Sequence, residues 1–200
     1  MRKVNMKLQI IIGSTRPQRV SHLLAPWAAN EAKNLPDTEV EIVDLLDYNL
    51  PFLDEPISPQ YNPDRKPNAA AKKFLNKVAE ADAYVLITPE YNRSYAPALG
   101  NALDYIDFQL KQKPVALLAH GSTGGAQAVS HLRGLLPGLL AISVPSATYF
   151  MGQVGQAIDE QGNLSEELKS NPYGPQNALK NMLADTKWYS DALSVARAKN

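Results

Sequence analysis

Three apolar runs of strand length each end in a polar turn with a helix pattern behind it. They are Leu8-Gln9-Ile10-Ile11-Ile12 into Gly13-Ser14-Thr15-Arg16, Tyr84-Val85-Leu86-Ile87 into Thr88-Pro89-Glu90-Tyr91-Asn92, and Pro114-Val115-Ala116-Leu117-Leu118-Ala119 into His120-Gly121-Ser122-Thr123-Gly124-Gly125. Runs this apolar are buried on both faces, which is the condition of strands in a parallel sheet covered by helices. In such a sheet all three turns emerge at the carboxyl edge, where open α/β folds take ligands at a reversal in strand order. A single turn of this kind says little. Three together make a ligand site the first expectation.

The remaining pattern fits one doubly wound domain over residues 1–200. It has a first strand near 7–13, a helix over 18–33 with Pro26 predicting a kink or break, and an edge strand over 38–44. Residues 45–67 hold Pro51, Pro56, Pro59, Pro63 and Pro67, so no regular element is expected there. A connection that long is usually functional or an interface arm. Then follow a helix over 68–80, a strand over 83–88, a helix over 97–110 behind Pro97, a strand over 114–119 and a helix over 124–136. A fifth strand is interrupted by Pro145 and resumes over 147–151. A turn covers 159–163, and a last helix 176–198.

Lys plus Arg equals Asp plus Glu, 20 each. That balance argues against a nucleic-acid binder, which needs a basic excess, and against a carrier that docks by single-sign steering. The chain has no cysteine, which excludes disulfides, thiolate catalysis and cysteine metal sites. The basic start, Met1 to Lys7, is followed by an apolar run only about one strand long, too short for a leader. No stretch approaches the ~18 apolar residues of a membrane span. A cytoplasmic protein is expected, with the sequons at Asn92 and Asn163 as chance matches.

The first turn offers hydroxyls at Ser14, Thr15 and Ser21, planar cationic donors at Arg16 and Arg19, and free amides at the next helix start. No lysine follows as in the triphosphate-binding loop, and the Gly-x-Gly-x-x-Gly dinucleotide pattern is absent. A phosphomonoester suits the turn; a plain helix cap with solvated arginines explains it equally well. The second turn could meet the edge of a flat heterocycle through its peptide groups, with Tyr91 or Tyr95 over a face. Packing of those tyrosines on their neighbours is the alternative. Gly121 to Gly125 allow close backbone approach, or serve as an ordinary flexible turn.

Taken together, Gly13-Ser14-Thr15-Arg16 with Arg19, Pro89-Glu90-Tyr91-Asn92, and the Gly121–Gly125 turn resemble the NADPH-dependent FMN reductase family of flavodoxin-like proteins over roughly residues 7–150. The resemblance implies a five-stranded parallel sheet of order 2-1-3-4-5 with helices on both faces, and non-covalent FMN at its carboxyl edge. It places the phosphate at Ser14, Thr15, Arg16, Arg19, Val20 and Ser21. The isoalloxazine and ribityl chain fall to Pro89, Glu90, Tyr91, Asn92, Arg93 and Ser94, and the ring's other side to Gly121, Ser122, Thr123, Gly124 and Gly125. Gln18 stands where a glycine is frequent and Val20 where a smaller residue often sits.

The activity implied is hydride transfer from NADPH or NADH through FMN to a quinone, azo compound, metal oxyanion or free flavin, with ping-pong kinetics. A homodimer or homotetramer is also implied. The long proline loop and the apolar residues Leu99, Leu103 and Ile106 offer a dimer surface, although core burial explains those three as well. A non-enzymatic flavodoxin-like carrier is the competing reading. A hydrolase built on Ser122 and His120 lacks the Gly-x-Ser-x-Gly elbow. His22 and His131 read as ordinary helical positions, and His120 lies close enough to the edge to touch a ligand. Asp44, Asp47 and Asp104 read as caps or surface carboxylates, Trp27 and Trp188 as packing or dimer contacts. No metal-ligand spacing is present.

Overall fold

The computed structural model describes residues 6–199; the basic start discussed above lies, apart from Met6 and Lys7, outside the described residues. Five strands, β1 (Met6–Ile12), β2 (Thr38–Asp44), β3 (Ala83–Pro89), β4 (Pro114–Gly121) and β5 (Ile142–Met151), form one sheet of order β2-β1-β3-β4-β5. Every pairing is parallel. The expected flavodoxin-like order is therefore present, with the direction of winding reversing between β1 and β3.

Alternate residues of the strands feed two cores. Leu8, Ile10, Ile12, Val85, Ile87, Ala116 and Leu118 pack against α1 (Ser21–Ala32) and α7 (Pro175–Arg197). Ile11, Tyr84, Leu86, Val115, Leu117 and Ala119 pack against α2 (Ala69–Ala79), α3 (Pro97–Asp104) and α4 (Ala126–Leu135). Both faces of β3 and β4 are closed, which is why those strands read as unbroken apolar runs. Two short helices, α5 (Val154–Ala157) and α6 (Glu166–Ser170), lie in the stretch before α7. Neither carries a detectable apolar period at that length, so the sequence pattern missed them.

Several expected boundaries are corrected. Helix α1 starts at Ser21 because Gln18 adopts φ 56, outside the helical region. Pro26 does not break it; the helix runs through in one piece. A proline there removes only the bond to His22 O, and buried Leu23, Leu24, Trp27 and Ala28 hold the helix by packing. Helix α3 ends at Asp104 rather than 110, with Ile106 N–H turning back to Leu103 O at 3.0 Å. Helix α4 starts at Ala126, since Gly124 and Gly125 have φ 82 and 85, and it hands over to a 3-10 turn at 136–139. Strand β5 is a single element. Pro145 sits in an irregularity where Val115 pairs with Ser143 but Leu117 with Ala147, so the missing N–H falls in a bulge on an edge strand.

The 45–67 connection contains two single 3-10 turns, at 45–47 and 59–61. Leu99, Leu103 and Ile106 are buried in the core, so the dimer reading of those three is overturned. Trp27 is a packing residue, edge-on to Phe150 at 5.7 Å, with its indole N–H donated to Gln176 Oε1. No described helix is long and apolar enough to cross a membrane.

Candidate functional site

The three turns do meet at the carboxyl edge, and specific contacts lock them to one another. Gly13 leaves β1 with its N–H donated to Ile87 O at 2.8 Å, and a Cβ there would lie 2.6 Å from the same oxygen. Only glycine lets the first turn pass this close to β3. Ser14 Oγ is then hydrogen-bonded to Tyr91 Oη at 3.2 Å, joining the first turn to the second. The Arg16 guanidinium lies 5.7 Å from the Tyr91 ring centre, a distance at which cation and ring attract. Arg16, Pro17 and Gln18 are exposed, while Thr15, Arg19 and Val20 are half-buried.

Arg19 is less free than the sequence suggests. Its Nη1 donates to Ser14 O at 2.7 Å and to Asp44 Oδ1 at 2.9 Å, and its Nη2 donates to Asp44 Oδ2. Asp44 also accepts the Leu46 N–H at 2.9 Å. The carboxylate at the end of β2 thus fixes the first turn from behind. The cap expected of Asp44 is present, at the start of the 3-10 turn over 45–47, but nothing in its spacing points to Arg19. Ser21 is likewise engaged: its buried hydroxyl lies 2.7 Å from His120 Nε2.

The second turn is a two-residue loop closed by Tyr91 N–H to Ser94 O at 2.8 Å and Ser94 N–H to Tyr91 O at 2.9 Å. Its central residues Asn92 and Arg93 have φ 48 and 67, the positive values of the type I′ hairpin turn. Both are exposed; Pro89 is buried, and Glu90, Tyr91 and Ser94 are half-buried. Buried Thr88 Oγ1 accepts the Ala96 N–H at 3.0 Å, which sets the start of α3. Glu90 spends its carboxylate on the third turn, where Oε2 accepts the Gln127 N–H in the first turn of α4 at 3.0 Å and Oε1 lies 3.5 Å from Thr123 Oγ1. Ser94 Oγ is 3.1 Å from His131 Nδ1, a tie that the bland reading of His131 missed. In the third turn Ser122 and Thr123 are exposed, Gly121 is half-buried, and Gly124 and Gly125 are buried.

Two crevices flank the first turn. One, of about 270 Å³, is lined by Thr15, Leu45, Leu46, Asn49, Leu50, Ala98 and Asn101. The other, of about 410 Å³, is lined by Thr15, Arg16, Pro17, Gln18, Arg19, His22 and Leu46. The amino end of α1 has no side-chain cap, so its free N–H groups and the exposed Arg16 share one small region, with Arg19 held on Asp44 behind them. That donor set attracts an anion. Among the described residues no group of His, Asp and Glu could hold a metal ion.

Burial pushes the His120 imidazole down to about 4, so the ring is neutral at physiological pH. Below about pH 6.5 the unfolded chain takes up a proton that the folded chain refuses. The associated stability is complete above that pH and is lost as pH falls toward 4, amounting to about 2 kcal/mol by pH 5. Urea unfolding of the apoprotein at pH 7 and 5 measures this. The difference between the two should shrink in His120→Gln; an unchanged difference would remove His120 as its source.

Comparisons with known proteins follow the same line. The profile of the NADPH-dependent FMN reductase family matches residues 6–156. An NAD(P)H-dependent FMN reductase of Schizosaccharomyces pombe is 31% identical over 176 residues, covering 84% of this chain and 88% of its own. An FMN-dependent NADPH-azoreductase of Staphylococcus haemolyticus is 37% identical over 145 residues, covering 70% and 74%. Among solved structures, the flavoenzyme NAD(P)H:(acceptor) oxidoreductase FerB of Paracoccus denitrificans superposes with a TM-score of 0.67 at 22% identity, covering 94% of this chain and 97% of that one.

Proposed function

Because the chain belongs to the NADPH-dependent FMN reductase family, we propose that the three locked turns form its FMN seat, and that the enzyme passes electrons from NAD(P)H to small acceptors of the quinone or azo class. The observation that carries this reading is the joining of the turns. Ser14 with Tyr91 ties the first turn to the second, and Glu90 with the start of α4 ties the second to the third, so the donors of all three belong to one frame. The residues fit the cofactor on structural grounds. Gly13 and Gly125 let the first and third turns lie directly on β3 and β4, where a Cβ would come within 2.6 Å of Ile87 O and of Ala119 Cβ, and the α1 amino end, with its anion-attracting N–H groups, is uncapped.

When bound, FMN supplies the two-electron chemistry, so the protein needs no nucleophile or general base of its own. The chain's own part is binding and orientation. Arg16, Thr15 and the amides at the start of α1 hold the phosphate. Arg19 and Asp44 keep that turn in shape, and the backbone of Pro89 to Ser94 and of Gly121 to Gly125 borders the ring. One crevice serving donor and acceptor in turn gives ping-pong kinetics. Ser21, with its hydroxyl on His120, braces the phosphate turn from beneath. A homodimer through the 45–67 loop belongs to the same reading. Leu46, Phe52, Ile57 and Tyr61 are exposed on the loop, and Phe108 is exposed outside it, apolar side chains of the kind that mark interaction sites when they gather.

The test is an absorbance spectrum: the purified protein should be yellow, or turn yellow with added FMN, and should oxidise NADPH when a quinone is present. Colourless protein that ignores micromolar FMN ends the proposal, while flavin binding without turnover supports a carrier. At residue level, Arg16→Ala should weaken FMN retention by ~1.5–3 kcal/mol, the scale of a hydrogen bond to a charged group, and toward the low end because the side chain is exposed. Fluorescence titration of the apoprotein reads it, and unchanged affinity would exclude Arg16 as a phosphate ligand.

A further inference from the structure

Arg93 occupies a position that its backbone conformation does not favour. It is the second central residue of the Tyr91–Ser94 turn, at φ 67, where glycine is preferred because any Cβ crowds the following carbonyl. The turn has no freedom to relax. Tyr91 is tied to Ser14 on one side and Ser94 to His131 on the other, and the two are joined to each other by both backbone hydrogen bonds. Strain retained at such a place calls for something the side chain does. Inside the protein it does nothing: Arg93 is exposed, and its guanidinium makes no hydrogen bond or ion pair among the described residues.

The neighbouring charges make the position more specific. Glu90, the nearest acid in sequence, has its carboxylate on the amino end of α4. Arg16 stands over Tyr91, on the side of the phosphate turn. The second turn, which is tied to the first through Tyr91 and Ser14, therefore carries at Arg93 a cation with no ion pair among the described residues, although the chain as a whole is neutral.

We propose that Arg93 is a specificity residue that receives a phosphate group of the hydride donor and so draws phosphorylated nicotinamide cofactors to the crevice. This rests on the functional reading above and adds to it a seat for the donor. The guanidinium fork matches a phosphate in two parallel hydrogen bonds. It is held at a fixed point by the turn, so little side-chain ordering is lost beyond its own. Sulfonate or carboxylate groups on an acceptor share that chemistry, and the experiment separates the two sources.

Wild-type holoenzyme, Arg93→Gly and Arg93→Lys are compared with NADPH and with NADH, using a neutral quinone as acceptor at low and high salt. In Arg93→Gly, kcat/KM for NADPH should fall about fivefold, the scale of one exposed ionic contact. Affinity for adenosine 2′,5′-bisphosphate, a redox-inert probe, should fall in parallel. High salt should erase most of the difference, and Arg93→Lys should recover part of it. A loss confined to NADPH assigns the 2′-phosphate, and an equal loss with NADH assigns the pyrophosphate; either supports the proposal. Glycine relieves the turn, so the apoprotein of Arg93→Gly should be no less stable to urea. A clear loss of stability overturns the proposal, because it makes Arg93 a residue of the fold. Unchanged kcat/KM for both donors also overturns it, including the case where only a sulfonated azo acceptor responds. A wild-type protein that binds no FMN and oxidises no NADPH defeats the functional reading itself, and this inference with it.

Discussion

Gly125→Ala should lower the melting temperature by roughly 10 °C and strip the protein of flavin affinity, whereas Gly124→Ala one residue earlier should cost only a few degrees. Both glycines have positive φ, 82 and 85, so alanine carries the left-handed penalty of about 1–2 kcal/mol at either. The space differs. At Gly124 a Cβ would stand 3.4 Å from Tyr149 Cβ, an ordinary contact. At Gly125 it would stand 2.6 Å from Ala119 Cβ and 2.9 Å from His120 N, both on β4. Neither is the loose end of a flexible chain, so backbone must shift, at a further cost of about 1–3 kcal/mol. For a chain of this size each kcal/mol is worth about 2–4 °C.

The functional loss follows from the same clash. Pushing the third turn off β4 carries the start of α4 with it, and the Gln127 N–H then leaves Glu90. Thermal scans of the two apoproteins, with FMN titrations of each, test the contrast. Equal melting temperatures would show that the third turn yields easily and is no rigid part of the frame.

What the sequence discloses about this protein depends on the range of the interaction. Strands β1, β3 and β4 were legible because burial on both faces leaves a continuous apolar run, and because each run ends in residues that only a turn accepts. The strand order followed from the resemblance, not from any pattern of periods. Within the site, local chemistry was legible: Gly13, Gly124 and Gly125 sit where the chain turns sharply, and Arg16 stands exposed beside the uncapped helix. The contacts that lock the turns were not. Arg19 with Asp44, Ser21 with His120, and Ser94 with His131 join residues 25, 99 and 37 positions apart, and no spacing rule reaches that far. Leu99, Leu103 and Ile106 show the opposite failure. An apolar stripe on a helix reads the same whether it faces the core or a partner, and here it faces the core.

Arg65→Ala should destabilise the protein by about 3 kcal/mol and open the 45–67 connection to proteolysis. Arg65 is nearly buried, with 6% of its side chain exposed. Its Nε and Nη2 donate to the two oxygens of Glu55 at 2.7 and 3.0 Å, and its Nη1 donates to Asp107 Oδ2 at 3.2 Å. Its guanidinium lies 5.9 Å from the Tyr105 ring centre, and Tyr105 Oη donates to Pro51 O at 3.2 Å. Asn101, on α3, donates to the same Pro51 oxygen and accepts the Leu53 N–H. This one cation therefore connects both arms of a long connection to the body. Removing it leaves Glu55 and Asp107 as partly buried carboxylates without their partner, which costs more than the pair itself contributes. Arg65→Lys should recover little, since an ammonium cannot meet Glu55 in two parallel bonds.

The consequence for assembly is direct. Phe52 and Tyr61 are 82% and 79% exposed on a segment held firmly in place, and an ordered apolar surface of that kind is what a second copy needs. Light scattering should find a dimer in the wild type and a shift toward monomer in Arg65→Ala, with new cleavage sites between residues 51 and 66. A variant that is cleaved there yet keeps its dimer would remove the connection from the interface. One that resists cleavage would show that the prolines alone, through their fixed φ, hold the segment and that Arg65 is dispensable to it.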